Sequence, residues 1–162
     1  MSQLTRKVLI GVLVVILAVS LLLAVLVPYN ITRSFPKTEG QIQVPGLDAP
    51  VEVLRDSYGV PYIYASTTHD LFFTQGYVHA QDRFWQMDFW RHIGSGRLSE
   101  MLGDSLLETD QILRTLGFAR IAQEELENLD PTSTAILESY SEGVNAYLKD
   151  HQGADLSLEY LV

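Results

Sequence analysis

The chain has 162 residues, which is enough for one ordinary domain. Its formal net charge of −9 argues against a nucleic-acid partner, because phosphates are bound by clustered Lys and Arg side chains. It contains no cysteine, which excludes a disulfide framework and a thiolate metal site.

The N-terminus carries a long apolar run from Val8 to Val27, interrupted only by Gly11 and Ser20. A run of about twenty apolar residues is long enough to span a bilayer. The apolar core of a cleaved signal peptide is usually shorter and ends in a small-x-small pattern, which residues 25–28 (VLVP) do not provide. We therefore interpret the run as an uncleaved, single-pass anchor in the cell membrane.

Charge and composition divide the chain into three parts. Arg6 and Lys7 precede the apolar run, which predicts a cytoplasmic N-terminus and an extracytoplasmic remainder, periplasmic or at the cell surface. Residues 1–28 are the cytoplasmic tip and anchor, and residues 29–40 form a stalk without hydrophobic periodicity. Residues 41–162 form the folded part, which we expect to be an incomplete α+β unit with short strands followed mainly by helices.

Three short strands are predicted at the start of the folded part, at residues 41–45, 51–55 and 61–65. Val51 and Val53 alternate with period two, as do Tyr62 and Tyr64, and this spacing is typical of half-buried strands. Residues 56–59 (DSYG) are turn formers, so the second and third strands are predicted to pair as a hairpin.

The first helix after the hairpin is predicted to begin at a Thr67 or Thr68 cap and to run to about Ile93, before Gly94 and Gly96 end it. Two apolar stripes lie on this helix about 130° apart. Surface helices need only one such stripe, so we expect this one to be enclosed between layers by more protein than the chain supplies. The stripes consist of Phe73, Tyr77, Ala80, Phe84 and Met87, and of Leu71, Val78, Trp85 and Phe89, with Trp90 beside them.

Two further helical regions follow. One spans about Glu108 to Asn128 and is weakened by Gly117. The other has Asp130 as its cap and Pro131 at its first position, and it runs to Asp150 before Gly153 closes it. Its predicted apolar stripe is Ile136, Tyr140, Val144 and Tyr147, and its predicted solvent face is Glu138, Glu142, Asn145 and Lys149.

No catalytic, cofactor-binding or metal-ligating residue is predicted within the chain. His79 and Asp82 are three residues apart on the first helix, and we interpret them as a partly buried hydrogen-bonded pair instead of a general base with its partner. Asp70 lies near the positive end of that helix dipole. Asp82 and Arg83 are expected to anchor the helix to its surroundings, because buried polar groups must find partners. Residues 94–97 (GSGR) are interpreted as a helix-ending turn and not as a phosphate loop.

Four blocks of sequence resemble the penicillin acylase family: residues 55–61 (RDSYGVP), 76–83 (GYVHAQDR), 94–101 (GSGRLSEM) and 141–147 (SEGVNAY). The resemblance implies part of an αββα N-terminal-nucleophile hydrolase, made as one precursor and cleaved into an α chain, which this sequence begins, and a β chain. It implies a β-chain N-terminal serine that attacks the amide of an N-acyl substrate such as a β-lactam antibiotic or an acyl-homoserine lactone. It also implies that calcium ligands of the full-length enzyme lie outside these residues, and that this chain alone is inactive and binds no cofactor.

Two other functions remain open from the sequence. The chain is alternatively a non-catalytic, membrane-tethered helical module that binds a partner through the aromatic face of its first helix, since large exposed apolar patches mark interaction sites. The other alternative is an independent hydrolase that uses His79 and Asp82.

Overall fold

A single apolar helix precedes the folded part of the chain in a computed structural model that describes residues 3–161. Helix α1 spans Gln3–Arg33, covers the predicted run from Val8 to Val27, and is exposed along its length. Its most apolar window has a mean hydropathy of 3.3, and within the described residues it is the one helix long and apolar enough to cross a membrane. A signal sequence near the N-terminus passes the same test of length and composition. The helix continues to Arg33, so the first part of the segment predicted as a stalk is helical.

The predicted hairpin is confirmed. Strands β1 (Glu52–Arg55) and β2 (Pro61–Tyr64) pair antiparallel, with Val53 opposite Ile63. This register places Ile63 on the half-buried face beside Val53 and turns Tyr62 and Tyr64 outward, where they are 51% and 57% exposed. The predicted half-buried strand with a period of two is confirmed, and the two tyrosines lie on its exposed face.

The predicted strand at residues 41–45 is not formed among the described residues. Residues 41–44 have no regular secondary structure, Pro45 begins a turn, and no described strand pairs with them. It belongs to a longer irregular stretch, residues 37–51, which we call the strap. The strap runs over helix α2 and leads directly into β1.

Helix α2 spans Thr68–Ser95 and is the central element of the fold. Thr67 caps it by accepting a hydrogen bond from the Asp70 amide, and Gly96 ends it in the left-handed conformation at φ 60°, as predicted. The helix is kinked at Arg83, whose φ of −153° and ψ of 35° are not helical. The kink separates the helix into two halves. A helical wheel drawn for one straight helix, as used for the two predicted stripes, therefore does not describe both halves.

Three short helices follow α2, and the sequence predicted only part of them. Helix α3 (Leu98–Leu102) and a 3₁₀ turn (Asp104–Leu106) were not expected. The region predicted as one helix is divided into α4 (Leu107–Leu116) and α5 (Phe118–Glu127). The division falls at Gly117, whose φ of 76° is incompatible with a continuous right-handed helix.

Helix α6 spans Pro131–Asp150 and packs across α2. Asp130 caps it by accepting the amides of Thr132 and Ser133, as predicted. The chain leaves the helix at His151 in an extended conformation, so Gly153 does not close it and instead begins a 3₁₀ turn (Gly153–Asp155). A last 3₁₀ turn (Leu158–Leu161) returns to α2 and places Tyr160 against Phe84 and Trp85.

Glycines form the crossing between α2 and α6. A Cβ atom on Gly76 would overlap the carbonyl oxygen of Tyr140, and one on Gly143 would overlap the carbonyl oxygen of Phe73. The buried face of α6 is accordingly centred on Ser139, Gly143 and Tyr147. The predicted apolar stripe flanks this face, and of its members only Tyr147 is fully buried. The predicted solvent face is exposed at all four positions: Glu138, Glu142, Asn145 and Lys149.

Candidate functional site

A bidentate ion pair ties the hairpin to the kink of α2. The Arg55 guanidinium donates to both carboxylate oxygens of Asp82 at 2.8 Å, and it also donates to Gln81 and to the carbonyl of Gly59. The two side chains are mostly buried, with 13% and 16% of their surface exposed. Asp82 therefore anchors α2 as predicted, whereas Arg83 is exposed at the kink.

The predicted contact between His79 and Asp82 is replaced by another. The Nδ1 atom of His79 lies 3.0 Å from the hydroxyl of Tyr140 on α6, and the two rings meet edge to face. Burial is the main cause that lowers the pKa of His79, and burial also raises the pKa of Tyr140. Arg55 occupies both oxygens of Asp82, and the contact between His79 and Tyr140 joins α2 to α6.

A second cluster joins three segments at the start of α2. His69 Nε2 lies 3.2 Å from Glu142 on α6, and His69 Nδ1 lies 3.4 Å from Asp70 and 3.8 Å from Asp48 in the strap. The contact with Glu142 is the main cause that raises the pKa of His69. The Asp70 carboxylate is fully buried and accepts the amides of Asp48 and Ala49, and the first of these bonds is the main cause that lowers its pKa. We call His69, Asp70, Asp48 and Glu142 the strap latch.

Part of the strap latch has the residue types of a metal site. Potential ligand atoms of Asp48, His69 and Asp70 lie within 4.8 Å of one another. Calcium prefers six to eight oxygen ligands, whereas Asp70 already accepts two backbone amides and His69 offers nitrogen. The cluster therefore does not fit the calcium ion that the family resemblance implies. The role of this cluster in holding the strap was not predicted from the sequence. Asp70, three residues after the Thr67 cap, was a signal for it.

A groove of about 910 Å³ lies between the strap and α2. Its floor is formed by the side chains of Phe73, Thr74, Tyr77, Val78 and Gln81. Gln81 donates a hydrogen bond to the Lys37 carbonyl at one end of the strap. Thr74 is 7% exposed, and its Oγ1 is the one buried side-chain polar atom of the described residues that has no hydrogen-bond partner.

The C-terminal segment holds the second half of α2. Tyr160 donates to the buried Asp88 carboxylate at 2.7 Å, and Arg91 donates to the other oxygen of the same carboxylate. Despite the opposing effect of burial, these donors lower the pKa of Asp88. The buried Asp110 similarly accepts the amides of Leu98 and Ser99. Each of these carboxylates is occupied in binding its own chain, which is typical of structural and not of catalytic carboxylates.

Comparisons with known proteins place this architecture in a family. The family model described as penicillin amidase matches residues 50–162. A penicillin acylase 2 proenzyme from Pseudomonas sp. (strain SE83) is 40% identical over 127 residues, which cover 78% of this chain and 16% of that protein. The acyl-homoserine lactone acylase QuiP of Pseudomonas aeruginosa is 41% identical over 115 residues, which cover 71% of this chain and 14% of that protein.

A solved structure agrees with these matches. The thermostable penicillin G acylase from Alcaligenes faecalis superposes with a TM-score of 0.56 and 36% identity, over 62% of this chain and 53% of that chain. The chain spans a small fraction of the full length of its curated relatives, at 16% and 14% for the two named above. The predicted resemblance is confirmed, and the chain belongs to the penicillin amidase family.

Proposed function

We propose that this chain is the N-terminal part of the α chain of an amidohydrolase that cleaves the amide bond of N-acyl compounds. The observation that carries the proposal is the family match over residues 50–162, the region that forms the hairpin and helices α2 to α6. The relatives are acylases named for penicillins and for acyl-homoserine lactones, so the substrate class is an acyl group joined to an amine through an amide.

The catalytic groups belong to a partner β chain of the same precursor. Its N-terminal serine attacks the substrate carbonyl, and the free α-amino group of that serine takes the hydroxyl proton. The amine product leaves, and water then hydrolyses the acyl-enzyme. Backbone amides and an asparagine of the β chain stabilise the oxyanion. The buried carboxylates of the present chain support this division of labour, because each is already occupied by the chain's own donors.

The α-chain part is a scaffold tethered to the cell membrane. Helix α1 has the length and composition of a membrane span, and Arg6 and Lys7 favour a cytoplasmic N-terminus. The hairpin and later helices are then extracytoplasmic, and calcium is held by residues outside this chain. We expect the mature α chain to stay in the membrane fraction after alkaline extraction and to retain residues 1–28. Release of an α chain lacking these residues would instead identify α1 as a cleaved signal.

Expression of the complete reading frame tests the enzymatic proposal. We expect two polypeptides, a serine at the N-terminus of the larger one, and hydrolysis of a panel of N-acyl substrates that contains a phenylacetylated β-lactam and several acyl-homoserine lactones. Replacing that serine with alanine should leave an unprocessed, inactive precursor. His79→Ala should be processed and active, because we assign His79 to the contact between α2 and α6 through Tyr140. A precursor that is never cleaved and hydrolyses none of the panel contradicts the proposal.

A further inference from the structure

The segment from Gln41 to Val44 has the sequence pattern of a strand, but no strand among the described residues pairs with it. Its residues alternate polar and apolar, and no helix, turn or bend forms across them. In the part of the chain that the structure describes, the amides and carbonyls of Ile42, Gln43 and Val44 make no hydrogen bond. Such a row of unpaired backbone groups is a template for another strand.

The groove beside this segment supplies a second, independent observation. It is lined by the strap on one side and by buried and half-buried residues of α2 and β1 on the other. Thr74 is one of the residues that line this groove, and its buried hydroxyl has no hydrogen-bond partner among the described residues. Leaving a buried hydroxyl unpaired is costly, so an occupant that supplies a backbone carbonyl or amide there would be favoured.

We propose that residues 41–44 are a docking site for an extended segment of the β chain, which adds to them as a strand and fills the groove down to Thr74. This inference rests on the proposed function. The β chain is the occupant we choose because the chain spans only 16% of the penicillin acylase proenzyme it matches. Most of the acylase therefore lies on other residues, and backbone pairing with filled side-chain pockets is how extended segments join an exposed strand.

Cross-linking in the complete, processed two-chain protein tests the site directly. A photoreactive amino acid replaces Gln43, and in a matched variant it replaces Glu138, which lies on the solvent face of α6. We expect Gln43 to cross-link to the β chain and Glu138 not to. Hydrogen exchange should also show the amides of residues 42–44 exchanging about 100-fold slower than in an unstructured peptide. Cross-links from Gln43 only to a second copy of the α chain, or exchange at unstructured rates, would overturn the proposal.

The isosteric change Thr74→Val examines the groove. If the hydroxyl pairs with the β chain, its removal leaves that partner unsatisfied, and the chains should separate at a lower urea concentration than in the parent protein. If the hydroxyl is unpaired in the complete protein, the valine variant will be unchanged or more stable, and the docked segment does not reach Thr74 as proposed. A protein that is cleaved and active but fails these tests overturns this inference alone, whereas an uncleaved, inactive protein overturns the proposed function.

Discussion

Buried carboxylates decide how the loops attach to the helices. Asp70, Asp88 and Asp110 are almost inaccessible to solvent, yet each accepts at least two hydrogen bonds from the chain. Donors directed at a carboxylate stabilise its ionised form, which is why the pKa of each is lowered although burial opposes this. In this fold, single buried aspartates connect separate segments of the chain, as disulfides do in other small folds.

The Arg55–Asp82 pair should be the most sensitive charged contact of the chain. Asp82→Asn leaves the Arg55 charge largely buried without a counter-charge, and we expect it to cost about 3 kcal/mol of local stability. Native-state hydrogen exchange of α2 amides near the kink, in the two-chain protein, measures this. The matched change Glu124→Gln removes an exposed partner of Arg120 and should cost less than about 1 kcal/mol. Equal losses of stability from the two changes would show that the buried pair contributes no more than an exposed pair.

The strap latch should have a pH optimum. His69 has a raised pKa in the folded protein, so its contribution is complete below its ordinary value of 6.5 and is lost as the pH rises through the folded pKa. Asp70 has a lowered pKa, so its contribution is complete above its ordinary value of 3.8 and is lost as the pH falls through the folded pKa. Protection of the Asp48 and Ala49 amides, corrected for intrinsic exchange rates, should therefore be greatest between these two values.

The control for the latch is His69→Gln, which keeps a polar side chain but does not titrate. We expect this variant to lose the decline at high pH and to keep the decline at low pH, because Asp70 still accepts the two amides. A parent profile without any decline above neutral pH would show that protonated His69 does not hold the strap.

At the scale of elements, the packing of α2 on α6 depends on the absence of side chains. Gly76 and Gly143 allow the two backbones to approach until a Cβ atom would overlap a carbonyl oxygen of the facing helix. Hydrophobic periodicity describes where apolar side chains lie and does not report such an approach. For this reason the predicted stripe on α6, apart from Tyr147, falls beside the contact and not on it.

Gly143→Ala should force the two helices apart. The new methyl group meets backbone that cannot rotate away, so we expect a loss of about 3 kcal/mol or more, seen as faster hydrogen exchange throughout α6 in the two-chain protein. Gly94→Ala is the matched control, because nothing lies within 4 Å of its Cβ position inside α2. It should raise local stability by about 0.5–1 kcal/mol. An α6 exchange pattern that Gly143→Ala leaves unchanged would contradict the close crossing.

At the scale of the whole molecule, a large share of the apolar side chains remain uncovered within the described residues. Trp90 on α2 is 62% exposed, and the outward face of the hairpin presents Leu54, Tyr62 and Tyr64. The amphipathic helices α4 and α5 likewise expose Ile112, Leu116, Phe118 and Ile121. Exposed apolar surface of this extent marks a surface that another polypeptide covers. The alternative function, a membrane-tethered interaction module, predicts the same exposed apolar surface.

Residues 41–162 expressed alone distinguish the acylase part from the independent module. We expect a molten or aggregating species that binds ANS, has solvent-exposed tryptophan emission and lacks a cooperative unfolding transition, because its apolar faces stay uncovered. Co-expression with the remainder of the precursor should produce a folded complex with shielded tryptophans. A soluble monomer of residues 41–162 with cooperative unfolding would favour the module.

The sequence by itself determined the local features of this protein: the apolar N-terminal helix, the hairpin turn, the caps at Thr67 and Asp130, and the family. These follow from neighbouring residues, whose turn chemistry and capping bonds need no distant partner. The family motifs that begin at Arg55 and Gly76 could also be recognised from the sequence, because each is a contiguous stretch of the chain.

Only the tertiary structure decided which faces pack and which partners pair. Three contacts required residues far apart in the chain to meet: the ion pair of Arg55 with Asp82, the contact of His79 with Tyr140, and the packing of Ile63 beside Val53 on the inner face of the hairpin. Period and propensity are alike for either face of a strand, so the choice between them depends on the surface they pack against. The physical reason is that burial and ion pairing are long-range in sequence, whereas caps and turns are local.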